Sequence, residues 1–184
     1  MTTRFNPDIH LRKAGSEVIG IQNIVRRLHQ TMQHDEVVQK TTDEIRDFLQ
    51  VDRVVLYYFY AEWEGRVTFE SLSSRQFSIL GSTGPDQCFN DEYAALYLDG
   101  RVRAIANIET ASIADCHRDF LRYLQVQANL VVPILPDQGS AQKKLWGLLA
   151  AHHCQSTRSW SANDIERMQK GAKVLATASV IKTG

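Results

Sequence analysis

Two cysteines stand in local sequences that suit reaction with a bound ligand. Cys88 lies in the run Asp86-Gln87-Cys88-Phe89, two residues after a carboxylate, and Cys116 is followed directly by His117. The thiolate is the nucleophilic form of cysteine, and a nearby carboxylate or imidazole can bind the N–H groups of a proton-carrying ligand. The pair is therefore a candidate for covalent reaction with a conjugated, proton-binding molecule.

The expected position of Cys116 favours a reactive thiol. Ser112 or Asp115 can cap a helix that continues to Leu124. Cys116 falls in the first turn under either choice, where unpaired backbone amides and the positive end of the helix dipole favour a thiolate. The alternative is structural, because cysteine is a small residue that is often simply buried.

Asp86 and His117 each have two interpretations. A carboxylate held in a pocket could accept hydrogen bonds from ligand N–H groups, whereas an aspartate after Pro85 often makes a turn in a solvated loop. His117 could bond a ligand nitrogen or an ordered water, or it could be a surface residue. Neither residue identifies a ligand by itself.

Composition and length limit the classes of protein to which the chain can belong. The chain has 184 residues, 43% of them hydrophobic, which suffices for one domain with a substantial core. Lysine and arginine (21) balance aspartate and glutamate (21), so no overall field attracts nucleic acid or an anionic membrane. No apolar run has the roughly 18 residues of a membrane span, and no secretory signal is recognisable. We expect a cytoplasmic domain with no nucleic-acid partner and no membrane contact.

The three cysteines, Cys88, Cys116 and Cys154, are odd in number and widely spaced, and they include no Cys-x-x-Cys pair. This pattern indicates neither a disulfide framework nor a zinc site. We expect free thiols in a reducing compartment and no bound metal.

Three apolar stripes predict long amphipathic helices. Apolar residues recur every three or four positions over residues 16–32, again over 38–49 after a cap at Asp35, and over 165–179. The connection between the first two stripes is so short that the two helices are expected to pack together.

Strand patterns lie between these helices. Residues 54–60 and 67–72, rich in β-branched and aromatic side chains, flank a turn and predict a β-hairpin. Further strands are expected at 104–108, 130–134 and 145–152. Two helices are inserted among them, one at 90–100 and one carrying Cys116.

The order of the elements predicts an α+β fold. An antiparallel sheet would carry the terminal helices on one face, and the inserted segments would close a pocket on the other face. Residues 1–15 are expected to be an N-terminal extension, and residues 16–182 a single domain.

Five segments resemble the bilin-binding GAF domains of the cyanobacteriochromes, which are relatives of the phytochromes. Residues 86–89 match the Asp-x-Cys-Phe motif of one subfamily. Cys116-His117 matches the Cys-His pair of the chromophore attachment site, 28 residues after Cys88. Segments 100–105, 128–134 and 145–154 match as well. The resemblance covers residues 51–181 and, taken whole, is to the blue/green photoreceptor domains of cyanobacterial phototaxis receptors.

This resemblance implies a photoreceptor rather than an enzyme. Cys116 would hold a linear tetrapyrrole, phycoviolobilin or phycocyanobilin, through a permanent thioether to its A ring. Cys88 would bond reversibly to the central methine bridge. Light would isomerise the double bond beside the D ring, and the gain or loss of the Cys88 bond would switch the domain between blue- and green-absorbing states. Catalysis would be limited to attachment and isomerisation of the bilin.

The resemblance also assigns contacts around the chromophore. Asp86 would bind pyrrole N–H groups, and His117 would pack against the inner rings. The further chromophore-binding residues would be Phe89, Tyr97, Arg101, Arg103 and His152. The arginines would pair with propionates, although they can equally be solvated, and the tyrosine can equally be a core residue. Strand phase decides which of His152 and His153 points inward.

Other functions of the same fold remain open. A GAF domain can bind a cyclic nucleotide, but the chain has no basic, glycine-rich phosphate cradle and no Asn-Lys-x-Phe segment. The cysteine spacing does not suit a methionine sulfoxide reductase of this fold. A dimerisation module is the third alternative, and the terminal stripes, through which a homodimer could form, are compatible with light sensing. Because no kinase, cyclase or methyl-accepting segment is visible, we expect a cytosolic sensor module that signals to other domains of a larger, membrane-anchored receptor.

Overall fold

The computed structural model describes residues 7–61, 64–84, 91–137, 139 and 144–182, and it describes side chains from residue 18 onwards except at 91–94. The helices in these ranges are α1 (Pro7–Met32), α2 (Glu36–Leu49), α3 (Asp91–Leu98), α4 (Asp115–Tyr123), α5 (Ala162–Leu175) and α6 (Ser179–Lys182). The strands are β1 (Arg53–Ala61), β2 (Glu64–Leu72), β3 (Arg103–Ile105), β4 (Ala128–Ile134) and β5 (Gly147–His153).

The strands form one antiparallel sheet in the order β2-β1-β5-β4-β3. β1 and β2 make the predicted hairpin, and β5 lies between β1 and β4. The α+β fold and the antiparallel sheet expected from the sequence are confirmed. The sheet is buried on both faces at its centre, which explains why β4 and β5 are apolar almost throughout.

Alternate residues of the central strands face opposite layers of the domain. Val54 and Leu56 of β1 pack into the main core with α2 and α5. Their neighbours Val55 and Tyr57 face the other side of the sheet, where a second and smaller apolar cluster forms. Because side chains of a strand alternate with period two, the phase of each strand decides which residues can reach the second face.

Local capping fixes the two helices that cover the first face. The Asp35 side chain accepts hydrogen bonds from the amides of Val37 and Val38 at the start of α2, as the sequence predicted. α5 begins with a capping box between Ser161 and Asp164, in which each side chain bonds the other residue's backbone amide. These caps satisfy amides that have no partner within the helix.

Two helix boundaries differ from the predicted ones. α1 begins at Pro7 rather than at residue 16, in accord with the suitability of proline for a first helical position. The last apolar stripe does not form one helix through residue 179, because α5 ends at Leu175 and a short α6 follows.

The N-cap of α4 also differs from the expectation. Ala114 occupies that position without a side-chain cap, so neither Ser112 nor Asp115 caps the helix. Asp115 is the first helical residue, and its carboxylate instead bonds the guanidinium of Arg118 at 2.7 Å. An acidic residue in the first turn still complements the helix dipole.

No helix in the described part of the chain is long and apolar enough to cross a membrane. Within the same residues, no group of histidine, cysteine, aspartate and glutamate side chains is arranged to hold a metal ion.

The contact between β1 and β5 predicts the effect of one substitution. A Cβ atom on Gly147 would clash with the carbonyl oxygen of Tyr57, which is backbone and cannot move aside. We expect Gly147→Ala to lower the free energy of unfolding by about 1–3 kcal/mol, as overpacking usually does. Urea unfolding followed by circular dichroism measures the change.

Gly20→Ala is the matched control. Gly20 lies in α1 with no atom near its would-be Cβ, so alanine should leave stability unchanged or raise it by up to about 1 kcal/mol. Equal stabilities of the Gly147→Ala and Gly20→Ala variants would contradict the described packing of β1 against β5.

Candidate functional site

A cavity opens on the second face of the sheet, opposite α2 and α5. The space between the lining atoms, which includes open solvent, is about 750 Å³. Most of the lining is apolar, and the strand residues that contribute to it are Val55, Tyr57, Val67, Val131, Leu148 and Ala150.

One face of α4 closes the cavity. His117, Phe120, Leu121 and Leu124 all line it, at the spacing of three and four residues that places side chains on one side of a helix. Cys116 is exposed and lies about 100° around the helix axis from His117. The predicted attachment cysteine is therefore at the border of the helix face that meets the cavity, in the first turn as expected.

The bonding of Cys116 differs from the expectation of free thiols. Cys116 is disulfide-bonded, whereas Cys154 is free. Cys154 is half-buried, and burial raises the pKa of its thiol to about 11, so it is a poor nucleophile near neutral pH. Cys116 must be reduced before its sulfur can add to a ligand.

His117 faces the cavity and is largely shielded from water. Burial lowers the pKa of its imidazole, and the positive charges of Arg103 and Arg101 lower that pKa further. His117 is therefore neutral at neutral pH, with one nitrogen that donates and one that accepts. A neutral imidazole of this kind can bind a ligand N–H or a ligand oxygen.

Tyr97 and Arg103 also line the cavity, but Arg101 does not. Tyr97 is 5% exposed, and burial raises the pKa of its phenol despite the opposing charges of the two arginines. Arg101 stacks over the Tyr97 ring, with its guanidinium carbon 5.9 Å from the ring centroid. Arg103 donates a hydrogen bond to the Ser112 carbonyl at 3.1 Å and gives the cavity a positive charge.

Strand phase settles which histidine of β5 points inward. His152 is 5% exposed and lines the cavity, whereas His153 points away and its Nδ1 lies 2.8 Å from the Ser156 carbonyl oxygen. Burial, followed by the charge of Arg53, lowers the pKa of His152 well below the usual range.

Arg53 was not predicted as part of the site. Its side chain is 0% exposed, and Nε donates to His152 Nδ1 at 2.8 Å. Nη1 and Nη2 donate to the carbonyls of Phe77 at 2.8 Å and Leu124 at 2.5 Å. The guanidinium thus links the segment after β2, the end of α4 and the histidine of β5. The signal in the sequence was a charged residue at the start of an apolar strand.

Asn129 lies in the segment 128–134 that resembles the family, but the sequence alone predicts no role for it. It lies opposite His152 in the pairing of β4 with β5, lines the cavity and is 4% exposed. Its Oδ1 is buried and has no hydrogen-bond partner among the residues that the structure describes. Buried polar groups are almost always hydrogen-bonded, so a ligand donor is a natural partner for this amide.

The remaining predicted residues lie just beyond an anchored loop. The Tyr57 hydroxyl accepts a hydrogen bond from the Gly84 amide at 2.8 Å, and Thr83 forms an isolated bridge with Arg66. Asp86, Cys88 and Phe89 follow, and they lie outside the described residues. The roles predicted for these three stay predictions.

The chain belongs to the GAF domain family, whose match covers residues 33–178. It is 48% identical to an uncharacterised protein of Picosynechococcus over 156 residues, which are 85% of this chain and 93% of that protein. It is 35% identical to a Synechocystis protein named for methyl-accepting chemotaxis, but this match spans 79% of this chain and only 14% of that protein.

Solved structures place the fold among photoreceptor GAF domains. The blue-light absorbing form of the PixJ GAF domain of Thermosynechococcus elongatus superposes with a TM-score of 0.71 at 29% identity, over 84% of this chain and 86% of that one. A phycoerythrobilin-bound GAF domain of a cyanobacterial phytochrome gives a TM-score of 0.67 at 27% identity, over 88% and 95%. The predicted resemblance to cyanobacteriochrome GAF domains is confirmed.

The unpartnered oxygen of Asn129 predicts an unusual mutational effect. Replacing a buried polar group that has no partner by an apolar one of similar size removes a penalty of about 1–3 kcal/mol. We therefore expect Asn129→Leu to raise the free energy of unfolding of the ligand-free chain by about 1 kcal/mol, measured by urea unfolding.

Asn107→Leu supplies the comparison. The Asn107 Oδ1 accepts a hydrogen bond from the Glu109 amide at 2.9 Å, so its loss should lower stability by about 1 kcal/mol. If both variants lose stability to the same extent, Asn129 already has a partner in the ligand-free chain.

Proposed function

We propose that this domain binds a linear tetrapyrrole covalently and acts as a photoreceptor. The observation that carries the proposal is the largely apolar cavity whose wall includes His117, the neighbour of Cys116 in the first turn of α4. The phycoerythrobilin-bound GAF domain and the blue-light absorbing PixJ domain have the same fold, which supports a ligand of this class. When bound, the bilin supplies visible absorption and photoisomerisation of the double bond beside its D ring.

Cys116 provides the permanent attachment. Its thiolate, favoured by the first turn of α4, would hold the bilin by adding to an activated carbon of the A-ring side chain. In that addition a sulfur–carbon bond would replace a carbon–carbon π bond, and the neighbouring carbon would take up a proton. The disulfide at Cys116 must first accept two electrons from a thiol reductant.

Cys88 provides the spectral switch. Its thiolate would add to the central methine bridge of a protonated bilin, which would neutralise both charges, divide the conjugated system and give the blue-absorbing state. Departure of the thiolate would restore the cation, the long conjugated system and the green-absorbing state. The anchored loop that ends at Gly84 fixes the chain just before the segment that carries Cys88, while Gly81 has a positive φ of 80°.

The remaining residues orient the bilin. His117 packs against the inner rings, and Arg103 pairs with a propionate through its guanidinium. Asp86 bonds the pyrrole N–H groups, and Phe89 packs beside the ring system. Arg101 acts from outside the cavity, by holding Tyr97 and adding positive charge.

The cofactor is phycocyanobilin, or phycoviolobilin if the domain isomerises the bilin that it first binds. No other catalysis is proposed. The domain transmits light signals for phototaxis to other domains of a larger receptor, as the match to 14% of a chemotaxis protein suggests. It does so as a cytoplasmic sensor module.

Attachment in the presence of bilin tests the proposal. We expect the protein made in phycocyanobilin-producing cells to be coloured, to fluoresce with zinc after denaturation, and to change colour reversibly under blue and green light. Cys116→Ala should lower the amount of covalently attached pigment at least about ten-fold. Cys88→Ala should keep the pigment but lose the blue-absorbing state.

Cys154→Ala is the matched control, because that thiol is free, half-buried and outside the cavity lining. It should attach and switch like the unaltered chain. Mixing the ligand-free chain with phycocyanobilin should give attachment only after a dithiol reductant is added. A colourless chain under reducing conditions would overturn the proposal and favour a cyclic-nucleotide site instead.

A second proposed role is dimerisation through α1. The predicted stripe of this helix is only partly covered, because Met32 is buried and Leu28 packs against the core, whereas Val18 is 49% exposed and Ile21 and Val25 are half-buried. An apolar helix face of this kind can pair with the same face of a second copy.

Sedimentation measures this role. We expect the unaltered chain to be a dimer at micromolar concentration and the double variant Val18→Lys, Val25→Lys to be a monomer with unchanged stability. Leu96→Lys, which changes an apolar residue of α3 that is 47% exposed, should remain a dimer. A monomeric unaltered chain would exclude α1 as a dimer interface.

A further inference from the structure

Arg53 is a buried cation without a directly bonded carboxylate among the described residues. Its three hydrogen bonds go to His152 Nδ1 and to two backbone carbonyls. Burial lowers the pKa of the guanidinium, but arginine remains protonated in proteins and can only donate hydrogen bonds. Burying such a charged group costs free energy, so packing alone does not explain its position.

The bond from Arg53 determines the state of the imidazole. Because the guanidinium only donates, Nδ1 of His152 must accept and cannot carry a proton. A neutral imidazole protonated on one nitrogen then carries its hydrogen on Nε2. If Nδ1 were protonated, a positively charged imidazole and the positively charged guanidinium would face each other as two hydrogen-bond donors, 2.8 Å apart and buried.

The surrounding charges preserve this arrangement. Glu70 of β2 and Asp52, which precedes β1, stabilise the charge of Arg53, and Cys154 adds a neutral thiol on the β5 side. The other titratable or charged groups that line the cavity are His117 of α4, Tyr97 of α3 and Arg103 of β3. None of these is a carboxylate bonded to His152 that would favour a protonated imidazole.

We infer that Arg53 is a positioning residue that locks His152 as the Nε2–H tautomer, so that this end of the cavity offers a fixed hydrogen-bond donor. The inference deepens the proposed function, because the donor would require an acceptor oxygen of the ligand. Asn129 lies opposite His152 on β4 and supplies an amide beside that donor.

Nitrogen-15 NMR of the imidazoles in the ligand-free chain tests the inference directly. His152→Gln identifies the signals of His152 among the six histidines. We expect His152 to be neutral with the hydrogen on Nε2, unchanged from pH 8 to 5.5. An ordinary histidine with a pKa of about 6.5 is about nine-tenths protonated at pH 5.5.

Arg53→Met tests the cause. Without the donor, His152 is expected to populate both tautomers or to take up a proton within this pH range. Arg46→Met is the matched control, because Arg46 is also partly buried and bonds the Leu72 carbonyl, but on the helix-covered side of the sheet. That control should leave the His152 signals unchanged.

Two outcomes overturn the inference: a hydrogen on Nδ1 in the unaltered chain, or identical His152 signals in the unaltered and Arg53→Met chains. If the Arg53→Met variant fails to fold, the tautomer of His152 in the unaltered chain still tests the inference. Either outcome would overturn the role of Arg53 without contradicting bilin attachment. Conversely, a chain that takes up no bilin but shows the locked tautomer would refute the proposed function and retain the role of Arg53.

Discussion

The alternation of side chains along three central strands is the constraint on which this domain depends. β1, β5 and β4 are each buried on both faces, one against α2 and α5 and the other around the cavity. A slip of one residue in any of them would send Leu and Val to the cavity and Arg53, His152 or Asn129 into the main core. The register that builds the core therefore also builds the site.

Polar side chains form a row across these three strands, and two of them, His152 and Asn129, line the cavity. Arg53, His152 and Asn129 are direct neighbours across β1, β5 and β4, and all three are almost fully buried. The opposite wall is made by α4, with His117 facing inward and Cys116 at the border.

Much of the fold followed from local patterns in the sequence. The spacing of apolar residues and the capping residues predict α2 and α5. Strand-forming residues on both sides of a turn predict the hairpin of β1 and β2. The cap of α4 was mistaken because Asp115 could serve either the amides or Arg118, and only the tertiary structure shows that it bonds the guanidinium. The end of α5 at Leu175 was missed since the apolar stripe continues beyond it.

Site residues could be predicted only where a local sequence motif identified them. Cys116, His117 and His152 stood in matched motifs, but the choice of His152 over His153 needed the phase of β5. Arg53 and Asn129 matter through partners 99 and 23 residues away in the chain, and a single sequence shows no such pairing. Their common signal is a polar residue in a strand that is otherwise apolar, which becomes informative once both faces of the sheet are known to be buried.

The most direct measurement of the account is a crystal structure of the reduced chain loaded with phycocyanobilin in the dark. We predict continuous electron density from the Cys116 sulfur into a tetrapyrrole that fills the cavity, with His117 against its rings and His152 Nε2 within hydrogen-bond distance of a ligand oxygen. A pigmented crystal in which Cys116 is unmodified, or in which the tetrapyrrole lies outside this cavity, would contradict it.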